Sequence, residues 1–325
     1  MGLKKERTHE IVAAALREGD EYAKAEYGIT HETLRRYKRF YRQQLDESGD
    51  STIEDPGTDR LLRDIAGKLS KKELQTIARS GTLDRSHRRI SAGWFDGDNI
   101  KIGVISDTHI GSSYFREDWL DGALNRFAHD GVDVVLHIGD VTEGMSNRPG
   151  HIYEIEHLGY SEQKQAAIEQ LSKFGDWPMY VIDGNHDRWF IKSNGAKVVQ
   201  DVCEALPNAK FCGHDTATID IGGIAIQLWH GEDGSSYAHS YRLQKVIEAM
   251  PGGAKPNILL TGHVHKAGYF FERNVHAILS GCIQEQTPFM RGKRLPAHPG
   301  FWTLDVDVND GSVVRFSPTF YPYYY

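Results

Sequence analysis

The stretch Ile102-Gly103-Val104-Ile105-Ser106-Asp107-Thr108-His109 decides the fold, because an apolar run ends there in two side chains that can bind a metal. Apolar runs at residues 134–138, 179–182 and 258–260 also end at polar motifs. Short apolar runs of this kind are typical of buried strands in an α/β sheet. Ligand sites in such sheets lie beyond the carboxyl ends of the strands, so these motifs indicate one shared site.

Five motifs follow one another along the chain, and their residue types predict a site for two divalent metal ions. They are Asp107-Thr108-His109, Gly139-Asp140, Gly184-Asn185-His186-Asp187, His230-Gly231 and Gly262-His263-Val264-His265. Hard and borderline divalent metals accept carboxylate, imidazole and amide oxygen ligands. Two ions about 3.5–4 Å apart can clamp a phosphate and hold a hydroxide for in-line attack. Asp140 is the natural bridging ligand, because a carboxylate offers two oxygens.

This set of motifs resembles the calcineurin-like metallophosphoesterase superfamily, in which DxH, GD, GNHD, HG and GHxH occur in the same order. The resemblance covers residues 99–325 and implies an α/β fold, a two-sheet sandwich flanked by helices. The sequence agrees, since strand-like runs alternate with helical stretches such as residues 119–129 and 161–174. Gly222-Gly223 and Asp310-Gly311 each predict the turn of a β-hairpin.

The resemblance implies a role for each motif residue. The first metal ion takes Asp107, His109, Asp140 and His265, and the second shares Asp140 and takes Asn185, His230 and His263. His186 is the expected catalytic acid at the leaving oxygen. Asp187 could hold the ring of His186, since a catalytic imidazole usually has an orienting partner. We expect two divalent ions, with Mn²⁺ first and Fe, Zn, Ni or Mg²⁺ as alternatives.

Two departures from the protein phosphatases of this superfamily favour a phosphodiester substrate. Those enzymes carry an Arg after the GD motif, near the position of Glu143, and they have GNHE in place of GNHD. A carboxylate near the Arg position would repel a phosphomonoester dianion. The GNHD form resembles SbcCD-type repair nucleases and cyclic-nucleotide phosphodiesterases. Arg188 is a candidate substrate contact, and a surface salt bridge is the equally weighted alternative.

Residues 10–45 are predicted to form helices that resemble a helix-turn-helix of the homeodomain-like sort found in transposases and phage proteins. One helix covers residues 20–27, and Thr30 is the expected N-cap of the next. That next helix carries five cations against the single acid Glu32, which is an electrostatic footprint for DNA. A solvated helix face is the alternative. The candidate DNA-binding residues are Arg35, Arg36, Lys38, Arg39 and Arg42.

The chain therefore divides into three predicted parts. Residues 1–45 form the helix-turn-helix-like DNA-binding domain, residues 46–98 an acidic flexible linker plus short helices, and residues 99–325 the metallophosphoesterase catalytic domain. The catalytic part carries 19 Lys and Arg against 27 Asp and Glu. An acidic body of this kind binds DNA weakly by itself, so the N-terminal part or a partner must supply much of the affinity.

Composition narrows the cellular setting. Three cysteines without zinc-like spacing indicate a reducing cytoplasm. No apolar run approaches the roughly 18 residues of a membrane helix, so we expect a cytoplasmic protein, of bacterial or phage origin, without a membrane partner. The aromatic tail at residues 320–325 predicts packing on the domain or on a second subunit, which leaves a homo-oligomer open. An ATPase partner is doubtful, because the chain ends soon after its last predicted strand.

The residues predict a two-metal-dependent phosphodiesterase, with DNA as the favoured substrate and nuclease action as the favoured activity. A phosphatase or nucleotide phosphodiesterase is the first alternative, with the N-terminal helices as an interaction module. A DNA-binding accessory protein with little turnover is the second alternative.

Overall fold

Two six-stranded sheets form the framework of the motif-bearing part of the chain. The computed structural model describes residues 11–15, 19–31, 33–34, 37–38, 88–95, 97–232, 239–251 and 255–324. The chain forms two compact units, Met1–Asp84 and Arg85–Tyr325, and both sheets lie in the second unit.

The strands follow the predicted runs closely. In chain order they are β1 (Arg88–Ser91), β2 (Asn99–Ile105), β3 (Val134–Ile138), β4 (Met179–Asp183), β5 (Ala209–His214), β6 (Thr216–Ile221), β7 (Ile224–Trp229), β8 (Ile258–Thr261), β9 (Ala267–Glu272), β10 (Val275–Ser280), β11 (Gly300–Asn309) and β12 (Ser312–Pro322). One sheet has the order β12-β11-β2-β3-β4-β5, and the other has the order β1-β6-β7-β8-β10-β9. The predicted hairpin turns join β6 to β7 and β11 to β12, with positive φ at all four turn residues.

Helix α1 (Asp20–Tyr27) lies in the first unit. In the second unit, helices connect and cover the strands. They are α2 (Glu117–Asp130), α3 (Gly159–Ser172), α4 (Arg188–Asn194), α5 (Val198–Ala205), α6 (His239–Ala249) and α7 (Pro288–Lys293), with a 3₁₀ turn at His151–Glu154. Within the described part of the chain, none of the helices is both long and apolar enough to cross a membrane.

Apolar side chains fill three layers of the second unit. Leu136 and Ile226 belong to the core between the two sheets. Phe127 of α2 and Leu171 of α3 pack on the outer face of the first sheet, and Ile247 of α6 packs on the second sheet. Every residue of β3 and β4 is buried, as in a sheet covered on both faces. The predicted α/β fold of two sheets flanked by helices is confirmed.

Strand β1 lies in a stretch that the sequence placed in the linker. It pairs in parallel with β6, and Ile90 is buried in the core between the sheets. Arg89 forms an ion pair with Asp220 of β6, with 2.6 Å between Nε and Oδ2. The second unit therefore begins before residue 99. The linker and helices predicted for residues 46–87 lie outside the described residues.

The first unit contains the predicted helix α1 and the predicted cap. Gly28 ends α1 in a left-handed conformation with φ 61°, and the Thr30 hydroxyl accepts a hydrogen bond from the Thr33 N–H at 3.2 Å. Of the candidate DNA-binding residues, only Lys38 is described, and its Nζ lies 2.6 Å from Asp20 Oδ1. Arg35, Arg36, Arg39 and Arg42 lie outside the described residues, so the helix-turn-helix stays a prediction.

Candidate metal centre

Seven polar side chains meet where strands of the two sheets end. Asp107 and His109 follow β2, Asp140 follows β3, Asn185 follows β4, His230 follows β7, and His263 and His265 follow β8. Five of the seven have a left-handed backbone with φ from 48° to 70°, namely Asp107, His109, Asp140, His263 and His265. This conformation is uncommon for residues with a Cβ, so the loops hold these side chains at a cost in backbone energy.

The first group of ligand atoms comes from Asp107, His109 and His265, and these atoms lie within 4.8 Å of one another. The two Nε2 atoms of His109 and His265 are 3.2 Å apart. His265 Nε2 is 3.3 Å from Asp107 Oδ1, and His109 Nε2 is 3.8 Å from Asp140 Oδ2. The four residues expected at the first metal ion are therefore brought together.

The second group comes from Asp140, His230 and His263, again within 4.8 Å. His230 Nε2 lies 3.1 Å from Asp140 Oδ2 and 3.1 Å from Asn185 Oδ1. His230 Nδ1 donates a hydrogen bond to the Ile138 carbonyl at 2.8 Å. That bond fixes the tautomer in which Nε2 is free to bind a metal. Asp140 Oδ2 lies 3.8 Å from His109 Nε2 of the first group and 3.1 Å from His230 Nε2 of the second, which is the position that a bridging ligand needs.

The charges of this site match a bound divalent cation. Asp107 and Asp140 are almost fully buried, and among the described residues no Lys or Arg forms an ion pair with either carboxylate. Buried carboxylates are costly unless a positive charge compensates them. Burial lowers the pKa of His230, but Asp140 outweighs burial and raises that pKa to about 10. A metal ion would replace that proton as the compensating charge.

Glu143 lines the cavity beside the ligand groups, but its carboxylate is engaged by donors of the protein itself. Its carboxylate is buried and accepts hydrogen bonds from His151 Nε2 at 2.7 Å and Gln284 Nε2 at 3.2 Å. Glu143 Oε2 also lies 3.0 Å from His109 Nδ1, off the axis of a hydrogen bond, so we treat that contact as electrostatic. Burial raises the pKa of Glu143, but His109 and His151 outweigh it and hold the pKa well below its usual range. The Glu143 carboxylate supports a metal ligand, and repulsion of a phosphate dianion is not its evident role.

His186 lies beside the two ligand groups, and a carbonyl holds its ring. His186 Nδ1 donates to the Glu143 carbonyl oxygen at 2.8 Å, and the ring lies against the Trp189 ring, with 3.9 Å between centroids. Burial is the largest influence on the pKa of His186 and lowers it. The orienting partner that the sequence analysis assigned to Asp187 is therefore the main chain of Glu143.

Asp187 instead ties two motif loops together. Its two oxygens accept hydrogen bonds from the N–H groups of Val141, Thr142 and Gly184 at 2.7–3.0 Å, and from the Thr142 hydroxyl at 2.8 Å. Burial and the nearby Asp140 raise the pKa of Asp187 to about 7, against the pull of these donors. The side chain fixes the GD loop to the GNHD loop, so it positions ligands and makes no contact with the His186 ring.

Arg188 is engaged by three carboxylates and does not line the cavity. Its guanidinium lies 3.0 Å from Asp183 Oδ1, 3.4 Å from Asp215 Oδ1 and 2.8 Å from Glu232 Oε2. These ion pairs keep the pKa of Arg188 above its usual value despite burial. The salt-bridge alternative of the sequence analysis is favoured over a substrate contact.

A cavity of about 600 Å³ opens from the ligand groups. His109, Asp140, Asn185, His186, His263 and His265 line one part of it. Arg148, Lys266 and Phe289 line another part, and sequence reasoning assigned none of them to the site. Lys266 directly follows the GHxH motif, so its position in the sequence could have indicated that it lies near the site. Arg148 and Phe289 lie in segments without a motif, so nothing in the sequence indicated the same for them.

Comparison with known proteins shows the family to which the chain belongs. A family described as "Calcineurin-like phosphoesterase superfamily domain" matches residues 100–307. The DNA polymerase II small subunit of Halobacterium salinarum is 28% identical over 258 residues, which cover 67% of this chain and 51% of the relative. The same subunit of Methanothermobacter thermautotrophicus is 24% identical over 280 residues, covering 72% and 57%. The chain spans about half the length of these curated relatives, and they do not support the expected likeness to SbcCD-type nucleases.

Two solved structures are similar at a low level. A novel archaeal phosphodiesterase gives a TM-score of 0.40 at 18% identity, covering 68% of this chain and 100% of that one. The phosphoesterase Yfce from E. coli gives 0.41 at 17% identity, covering 67% and 98%. At these scores the likeness assigns neither a residue nor an activity.

Proposed function

The chain belongs to the calcineurin-like phosphoesterase superfamily, and we propose that it is a two-metal-dependent phosphodiesterase that acts on DNA. The observation that carries this proposal is the convergence of all seven expected ligand side chains, with Asp140 of the second group also lying 3.8 Å from His109 of the first. A protein that kept the fold for another purpose has no need of seven converging ligand side chains.

Each group would hold one divalent ion. Asp107, His109, Asp140 and His265 would hold the first, and Asp140, Asn185, His230 and His263 the second. When bound, such a pair supplies an activated water and charge stabilisation at the phosphate. The expected ions are Mn²⁺, with Fe, Zn, Ni and Mg²⁺ as alternatives, and the donor set accepts all of them.

His186 would donate a proton to the leaving oxygen from its doubly protonated imidazolium form, which then keeps the proton on Nδ1. The Glu143 carbonyl fixes the proton on Nδ1 of His186, so Nε2 is the nitrogen that exchanges a proton with the substrate. Trp189 packs against the ring and restricts its rotation. Asp187 keeps the GNHD loop in register with Asp140 through its backbone hydrogen bonds.

DNA is proposed as the substrate on two grounds. The two relatives are small subunits of a DNA polymerase. The predicted helix that begins after Thr30 carries the cations Arg35, Arg36, Lys38, Arg39 and Arg42. Both grounds agree with a nuclease that is recruited to DNA through its N-terminal helices. Recruitment would be needed because the second unit has an excess of acidic residues and would bind DNA weakly by itself.

Hydrolysis of matched substrates tests this function. Protein with Mn²⁺ is incubated with labelled single-stranded and double-stranded DNA, and with bis-p-nitrophenyl phosphate and p-nitrophenyl phosphate. Asp140→Ala removes the shared ligand, and Asp121→Ala on the surface of α2 serves as a control of the same residue type. We expect cleavage of DNA and of the diester by the native protein and the control only.

Other outcomes separate the alternatives. Hydrolysis of the monoester alone, with DNA intact, would establish a phosphatase and give the N-terminal helices a docking role. Binding of DNA by metal-loaded protein without cleavage of any substrate would favour a DNA-binding accessory protein, a role consistent with relatives that are named as subunits.

A further inference from the structure

One wall of the cavity is built from an aromatic ring and a guanidinium plane. The Arg148 guanidinium carbon lies 4.7 Å from the centroid of the Phe289 ring, and both residues line the cavity. Phe289 is 41% exposed, so part of its ring is accessible from the cavity. Exposed flat surfaces of this kind are what nucleobases stack on.

The Arg148 guanidinium is held in a fixed orientation, and its positive charge is paired with Glu154. Its Nη2 lies 2.7 Å from Glu154 Oε2 and its Nη1 lies 3.3 Å from Glu154 Oε1, so the guanidinium is gripped by both carboxylate oxygens. Glu154 is 9% exposed, whereas the Arg148 side chain is 29% exposed, so part of the guanidinium surface stays open. The guanidinium therefore offers a fixed stacking surface and little net charge to a phosphate.

Lys266 is a cavity-lining cation that is available to bind an anionic group of a substrate. It directly follows His265, is half-buried, and lines the same cavity. Among the residues that the structure describes, it forms no ion pair, unlike Arg148 and Arg188. An unneutralised ammonium in a cavity lined by carboxylates is suited to a substrate that brings its own negative charge.

We propose that this wall is a nucleotide subsite. The base of one unpaired nucleotide stacks on the surface formed by Phe289 and Arg148, and Lys266 contacts the phosphate next to the scissile one. A base inside a duplex is covered by its neighbours and cannot reach such a wall. The cavity has the size of a small-ligand site. The substrate class is therefore single-stranded DNA or an unpaired end, and this inference rests on the proposed function.

Binding of a short strand with and without bases tests the subsite. The ligand is a labelled four-nucleotide single strand with nuclease-resistant phosphorothioate linkages, and the comparison ligand has the same backbone without bases. Affinities are measured by fluorescence anisotropy on the full-length Mn²⁺-loaded protein. We expect Phe289→Ala to weaken binding of the natural strand roughly 5- to 100-fold, the effect of one stacked base, and to leave the abasic strand within about twofold.

Three further variants sharpen the result. Phe289→Leu keeps apolar packing without a flat ring and should lose affinity for the natural strand only. Lys266→Met should weaken both strands equally and lower the salt dependence of binding by about one counterion. Phe271→Ala, which removes a 58% exposed aromatic on β9 outside the cavity, should change neither strand.

The subsite and the activity can fail separately. An equal effect of Phe289→Ala on both strands, or no effect, would overturn the subsite even if the protein cleaves DNA. Base-dependent binding lost in Phe289→Ala would uphold the subsite, and absence of diester hydrolysis in the same preparation would overturn only the proposed phosphodiesterase activity.

Discussion

Glu143→Gln should weaken metal binding although Glu143 is not itself expected to touch a metal. Its carboxylate accepts from His151 Nε2 and Gln284 Nε2, and it lies against His109 Nδ1. The Ser146 N–H donates to His151 Nδ1 at 3.2 Å, so His151 must present a proton at Nε2. These three neighbours of the Glu143 carboxylate therefore all present an N–H group. In Glu143→Gln, the amide NH₂ would face one of these N–H groups whichever oxygen it replaced.

The magnitude follows from these contacts. Placing the Gln amide nitrogen at the Oε1 position opposes His151, and placing it at the Oε2 position opposes both Gln284 and His109. One buried donor left unpaired costs about 1–3 kcal/mol, so we expect the free energy of unfolding of the metal-free protein to fall by about 2–4 kcal/mol. Loss of a group that orients a metal-binding imidazole should lower affinity for the first metal ion by about 10- to 100-fold.

In the metal-free protein, the contribution of Glu143 to the free energy of unfolding depends on pH. The pKa of Glu143 is lowered in the folded state from an ordinary value of 4.5. Its stabilising contribution is therefore present above that ordinary value and is lost as pH falls through the folded-state pKa. The difference in unfolding free energy between native protein and Glu143→Gln should shrink as the pH falls below about 4.

Isothermal titration with Mn²⁺ and urea unfolding after chelation measure the two effects. The matched control is Glu117→Gln. Glu117 is an exposed carboxylate on α2 that pairs with Lys173, and its substitution should change neither quantity. If Glu143→Gln bound both ions with native affinity and unfolded at the native urea concentration, the assignment of Glu143 as a positioning residue would be refuted.

Three further predictions address the ligand loops. Asp187→Asn puts an NH₂ group against backbone N–H donors and should lower the free energy of unfolding by about 2–4 kcal/mol, measured in urea; native stability would contradict the role of Asp187. In Gly184→Ala the new Cβ would overlap the Asp140 carboxylate, so metal content measured by mass spectrometry should fall sharply while far-ultraviolet circular dichroism is kept. His230→Ala should bind about one ion per chain in place of two, and retention of both ions would exclude His230 as a ligand.

The fold could be predicted because its strands are local signals. Each motif follows an apolar run, and burial on both faces makes β3 and β4 continuous apolar segments. Strand β1 could not be predicted, because residues 88–91 are short and begin with two arginines. Only pairing with β6, far along the chain, decides that Ile90 is buried and that Arg89 meets Asp220.

The ligand set was visible in the sequence, and the residues around it were not. Residue type and spacing are enough to select metal ligands. The direction of Glu143 depends on His151 and Gln284, which come from separate loops, and the fate of Arg188 depends on carboxylates after β5 and β7. Such partners meet only after folding, so neither position could be interpreted correctly from its neighbours in the sequence.

The backbone of the ligand loops gives an independent argument that metal binding is the purpose of this site. Five expected ligands hold positive φ, a conformation that costs a residue with a Cβ about 1–2 kcal/mol and that glycine would adopt without strain. Glycine at these positions would relieve the strain but would also remove the ligand side chain. The chain therefore retains the strained residues. Backbone hydrogen bonds from Asp107 N–H to the Gly139 carbonyl and from His109 N–H to the Asp140 carbonyl, both 3.0 Å, hold this geometry.

The strain therefore lies in the backbone of the loops that position the ligands. A chain that used this fold only as a docking surface would gain stability by relaxing these positions, through Asn or Gly at Asp107 and Asp140 and any small residue at His265. The presence of all five strained ligands therefore favours a working metal centre over an accessory protein that has lost it.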